Sequence, residues 1–133
     1  MSNTKTIITW LLRLVAAFIM IQSLFFKFSG ADESVYIFSK LGMEPWGRIG
    51  TGIVELIASI LLLLPRTTWL GALLGAGTLT GAIFFHLTSL GIEVQNDGGQ
   101  LFVYALVAWS CCVILILFAR QKIQLLVRSA IPR

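Results

Sequence analysis

Charge is what this sequence has least of. Only 12% of its 133 residues are Asp, Glu, Lys or Arg, about half the share a soluble domain carries. Hydrophobic residues make up 57% and the mean hydropathy is +0.90, so the chain is built for a membrane. Histidine occurs once, as His86, and the only two cysteines, Cys111 and Cys112, are adjacent. One His, no CxxC and one carboxylate inside an apolar run do not make a metal site. Neighbouring residues on a helix point about 100° apart, so a disulfide between the two cysteines would be strained; they read as small packing residues. Ser–His–Asp spacing, a phosphate-cradling loop and a dinucleotide fingerprint are missing too, which leaves no cofactor motif and no redox centre of the chain's own. The net charge of +4 is not a nucleic-acid signature, because the basic residues cluster at segment ends without interleaved stacking aromatics. The N-terminal apolar run is long and is not followed by a small-residue cleavage site and a soluble domain, unlike a secretory signal. Internal repeats and low-complexity segments are absent.

What is present is a set of four apolar stretches, each long enough to cross a bilayer. The spans are expected at about 7–26, 47–64, 69–90 and 100–119, within a single transmembrane domain covering 1–133. The fold class is all-α: a membrane four-helix bundle with a short amphipathic helix between helices 1 and 2. That short helix is expected over Asp32 to Leu41, capped by Asp32 or Ser34, apolar along Val35, Phe38 and Leu41, and ended by Gly42. Tyr36 and Trp46 suit the membrane–water interface. In the third span Gly71, Gly75, Gly77 and Gly81 form two small-xxx-small pairs that permit close helix approach, within the chain or between copies in a homo-oligomer. Lys5, Arg66 and the tail residues Arg120, Lys122, Arg128 and Arg133 lie on one side of the membrane by this layout, and the positive-inside rule places both termini in the cytoplasm. The expected location is a bacterial-type plasma (inner) membrane.

The second span, Gly50 to Pro65, organises the polar chemistry. At helical spacing Arg48, Thr51, Gly52, Glu55, Ala58 and Ser59 share one side, and Ile53, Ile57, Ile60, Leu61 and Leu64 the other. A charge in hydrocarbon costs at least a few kcal/mol unless it meets protein, water or an opposite charge, so Glu55 needs an answer. Arg13, two turns into the first span, is the expected partner. With a rise of 1.5 Å per residue it lies about 9 Å above the cytoplasmic edge and Glu55 about 14 Å above it. Lys27, His86, Gln100 and Tyr104 fall in a second layer near the outer edge. These six residues are the intramembrane polar or ligand-binding candidates. The structural alternatives are a snorkelling Arg13, an interfacial Lys27 and a hydrogen-bonded packing His86.

An Arg in the first span, Phe25-Phe26-Lys27 closing it, Leu41-Gly42-Met43-Glu44-Pro45, Gly52-Ile53-Val54-Glu55-Leu56 and a Leu run ending at Pro65-Arg66-Thr67 occur here in order. Together they resemble the DoxX family of small membrane proteins. The resemblance implies a four-helix membrane bundle, with some relatives accompanying thiosulfate- or quinol-oxidising or redox-stress complexes and others acting as membrane chaperones. Arg13, Lys27, Glu55 and His86 match it. The leading expectation is a non-catalytic accessory or binding subunit that holds a quinone, a lipid or a partner helix in its bundle, with a redox partner protein as a further expected associate. The alternatives are a membrane subunit of a quinone-linked oxidoreductase and a small transporter using Glu55.

Overall fold

The computed structural model describes residues 3–131. Six α-helices follow one another: α1 (Asn3–Ser29), α2 (Asp32–Lys40), α3 (Trp46–Leu63), α4 (Thr68–Phe85), α5 (Gln100–Phe118) and α6 (Arg120–Ala130). A wider π-type turn, His86–Leu90, ends α4. Four helices among the described residues are long and apolar enough to cross a membrane: Asn3–Ser29, Trp46–Leu63, Thr68–Leu90 and Gln100–Phe118. They pack in ring order, α1 on α3, α3 on α4, α4 on α5 and α5 back on α1, the antiparallel four-helix arrangement that short connections impose. The protein is an integral membrane helical bundle.

The sequence sorts each helix into a lipid face and a packed face. On α3, Gly52, Glu55, Ala58, Ser59 and Leu62 are buried, whereas Ile53, Ile57, Ile60 and Leu64 are exposed. On α1 the buried side carries Arg13, Ala16, Ala17, Met20 and Leu24, and Phe18 and Phe25 face outward. The half of the bundle nearest the termini is closely packed because its contact residues are small: Ala16, Ala58, Ala72, Ala108 and Cys112 are buried against Leu62 and Leu115. At Gly71 the α3 and α4 backbones almost touch, and a Cβ there would lie 2.6 Å from Leu62 N and 2.7 Å from Ala58 O. At Gly75 it would lie 2.9 Å from Cys112 Sγ. Gly77 and Gly81 behave otherwise. A Cβ at either meets nothing within 4 Å, so only the first half of the expected glycine stripe makes a close approach.

The short helix α2 runs from Asp32 as expected, but its cap differs. Ala31 is the N-cap, and neither Asp32 nor Ser34 gives a side-chain cap bond. Asp32 and Glu33 fall in the first turn, where a negative charge suits the helix dipole. The stop is a Schellman motif: Gly42 N donates to Ser39 O and Met43 N to Phe38 O, with Gly42 at φ +73°. Ser34 and Phe38 form its buried side, while Val35 is only half-buried. α2 touches α1, α3 and the π-type turn, and so lies across the end of the bundle opposite the termini. α6, in which Ile123, Leu126 and Val127 share one side at helical spacing, leaves α5 at the termini end, where Lys122 Nζ donates to Arg66 O.

Candidate functional site

Arg13 does not answer Glu55. Arg13 Nε donates to Leu62 O at 2.6 Å and Nη2 to Leu63 O at 2.8 Å, and the guanidinium lies over the Trp10 ring, 3.6 Å from its centroid. The last carbonyls of a helix have no partner within it. Here Arg13 serves two of those of α3, and Thr67 and Thr68 hydroxyls bond Leu61, Leu62 and Leu64 O. Glu55 lies seven residues before Leu62, about 10 Å along the axis. The expected pair therefore fails by roughly two helical turns, because α1 begins at Asn3 and its register against α3 sets Arg13 at the very end of that helix.

Lys27 takes the role assigned to Arg13. α1 continues to Ser29, which keeps Lys27 helical and one turn beyond Ser23. Lys27 Nζ is 3.2 Å from Glu55 Oε1 and from Oε2, and 3.1 Å from Ser23 Oγ. Ser23 Oγ stands 2.9 Å from Glu55 Oε2 and 2.7 Å from Met20 O, its single hydrogen serving one at a time. The charges are thus neutralised inside the bundle, with side-chain exposures of 15% and 7%. One pair that sequence reasoning missed sits above this cluster. Arg48 binds both Glu44 oxygens, at 2.9 and 3.0 Å through Nε, and donates through Nη1 to Lys27 O at the end of α1. Their i,i+4 spacing was the available signal.

His86 opens the π-type turn. Its Nδ1 is 3.0 Å from Gly91 O, its ring packs on Phe102 with centroids 5.6 Å apart, and it is 6% exposed. Gln100 Nε2 donates to Tyr104 Oη at 2.7 Å. The loop between α4 and α5 is held by Asp97, whose carboxylate accepts from the backbone N–H groups of Val94, Gly99 and Leu101. Burial works against this carboxylate, but the three backbone donors, with a smaller contribution from His86, outweigh it and hold the group below the usual carboxylate range.

Five of the six candidates meet at one place. Lys27, Glu55, His86, Gln100 and Tyr104 line a single cavity of about 760 Å³ in the α2 half of the bundle, and Arg13 is outside it. α2 covers the end of this cavity with Ser34, Ile37, Phe38 and Leu41. Its lining includes exposed positions of α3 and α4, Trp46, Gly50 and Val54 on the one and Gly77 on the other, with Gly81 and Phe85 half-buried beside it. Its size is that of a small-molecule site, and its lining, apolar with a few convergent polar groups, is that of one too. Among the described residues no three His, Cys, Asp or Glu side chains come together as metal ligands.

No curated relative and no solved structure matches the chain. Residues 8–88 match the DoxX family, a stretch that runs from α1 through the end of α4, takes in Arg13, Lys27, Glu55 and His86, and stops short of Gln100 and Tyr104. With more than half its length matched and four apolar helices in a bundle, the chain belongs to the DoxX family.

Proposed function

We propose that this protein is a non-catalytic binding subunit that holds a lipophilic small molecule, a lipid or a quinone, in the cavity beneath α2. The observation that carries this reading is that the cavity lining includes Gly50, Gly77 and Gly81, at each of which a Cβ would meet nothing within 4 Å. We read these positions as a gap between α3 and α4 through which a molecule from the lipid phase enters, with α2 covering the cavity from the end. Lys27, Glu55, His86, Gln100 and Tyr104 are the polar groups that would orient a head group. The neutralised Lys27–Glu55 pair favours holding a ligand over moving a charge, since neither partner is free to exchange its proton or ion without leaving the other unpaired. In this reading the protein sits in a bacterial-type plasma membrane with both termini cytoplasmic and serves a redox partner protein that carries the chemistry. Purification into lipid nanodiscs followed by mass spectrometry of the extracted small molecules tests it. A defined lipid or quinone enriched with the wild type and reduced with Gly81→Phe, which fills the gap, is the expected result. Equal extracts from the two proteins would remove the reading.

A further inference from the structure

We infer that the cavity selects a molecule whose head group donates a hydroxyl hydrogen, and that His86 Nε2 is the atom that accepts it. This rests on the binding reading above and adds the ligand's chemistry to it. A carbonyl oxygen can only accept a hydrogen bond, so the contact between His86 Nδ1 and Gly91 O puts the ring hydrogen on Nδ1. In the neutral ring Nε2 is then a bare lone pair. The ring is fixed in this orientation by the Gly91 bond and by packing on Phe102. His86 lines the cavity, and its Nε2 has no protein hydrogen-bond partner among the described residues. His86 is 6% exposed; since no fully buried side-chain nitrogen or oxygen among the described residues lacks a partner, the unpartnered Nε2 stays accessible, and a donor from the ligand answers it.

The remaining lining narrows the class. An ether or ketone would set lone pair against lone pair at Nε2. A carboxylate or phosphate would enter a cavity whose lining carries the carboxylates Glu33, Glu55 and Asp97, where the one ammonium, Lys27, is already paired. A protonated amine would donate well, and Glu33 is a carboxylate of the lining with no ion pair among the described residues, but the amine would have to cross the apolar gap charged, with Glu55 already committed to Lys27 and Asp97 to three backbone N–H groups. An uncharged alcohol or phenol on an apolar tail fits both the acceptor and the route.

Native mass spectrometry of the full chain in detergent tests this with a nonyl-substituted phenol, its methyl ether and a long-chain amine. The wild type should bind the phenol about tenfold more tightly than the ether, the order of effect expected from one hydrogen bond. In His86→Asn the side-chain amide still donates towards Gly91 O but offers nothing at the Nε2 position. That variant should lose the preference while keeping its melting temperature. His86→Gln, whose amide reaches further, should keep part of it. Equal binding of phenol and ether by the wild type overturns the inference without requiring any variant to fold. So does a preference that persists in His86→Asn, or tighter binding of the amine. If the wild type takes up none of the probes, the binding reading itself fails; if it binds them without discrimination, the selection of a hydroxyl donor by His86 fails and the binding reading stands.

Discussion

At the scale of single residues the Lys27–Glu55–Ser23 cluster dominates, because an ion pair inside a bundle is costly to break and cheap to remove whole. Glu55→Gln orphans Lys27, and Lys27→Met orphans Glu55. Each should cost about 2 kcal/mol, less than the roughly 3–5 kcal/mol of a fully buried pair, since Lys27 keeps 15% exposure. The double variant should recover part of the loss in a detergent melt. Arg13→Gln should add independently to Glu55→Gln, because Arg13 binds the end of α3 and shares no partner with Glu55; coupling between them would contradict the register described here. That Glu55 is buried and faces the bundle was legible from the spacing of Gly52, Glu55, Ala58 and Ser59. Its partner was not, because depths counted from guessed span ends miss by a turn or two when α1 starts four residues early and runs three residues past its expected end. Asp97 supplies a pH-dependent contribution. Its folded-state value is depressed, so the stabilisation is complete above the unfolded value of about 3.9 and is lost as pH falls through the folded value. Asp97→Asn should flatten the acid limb of a stability profile measured between neutral and strongly acidic pH.

At the scale of elements, the glycines of α4 divide by what faces them. Gly71→Ala must push against the Leu62 and Ala58 backbone, which cannot give as a side chain would, and should destabilise the α3–α4 hairpin by about 1–3 kcal/mol. Gly77→Ala points into open space and should leave the melting temperature unchanged or slightly raised. Equal losses at both positions would mean that the gap is closed in the membrane. The small-xxx-small pattern revealed that α4 permits close approach. It could not say which pair is used, since Gly71 and Gly77 are alike in sequence and differ only in which helix they face. The stop of α2 was readable from Gly42, whose positive φ closes a defined motif. The start was not, because Asp32 and Ser34 are good caps by type, yet the chain reverses at Gly30–Ala31 and leaves both inside the helix.

At the scale of the whole molecule, the charges separate along the bundle axis. All six acids, Asp32, Glu33, Glu44, Glu55, Glu93 and Asp97, lie within the spans or at the α2 end. Lys5, Arg66, Arg120, Lys122 and Arg128 lie at the termini end without an acid among them. Lys5 over the Phe118 ring and Lys122 at Arg66 O tie α1 to α5 and α6 to the α3–α4 turn, so the basic groups form one band at that end. Basic residues close to span ends are retained on the cytoplasmic side, and α6, apolar along Ile123, Leu126 and Val127, is suited to lie flat in an anionic leaflet. The two native thiols make the orientation measurable without a cysteine-free background, because Cys111 is 7% exposed and Cys112 fully buried. A membrane-impermeant maleimide should therefore leave the wild type unlabelled. Ser129→Cys, on α6, should react only in inverted vesicles or after permeabilisation, and Ser39→Cys, on the exposed side of α2, should react in intact cells. The opposite pattern would place the basic band outside and expose the cavity's α2 cover to the cytoplasm, and with it any partner that collects the ligand there.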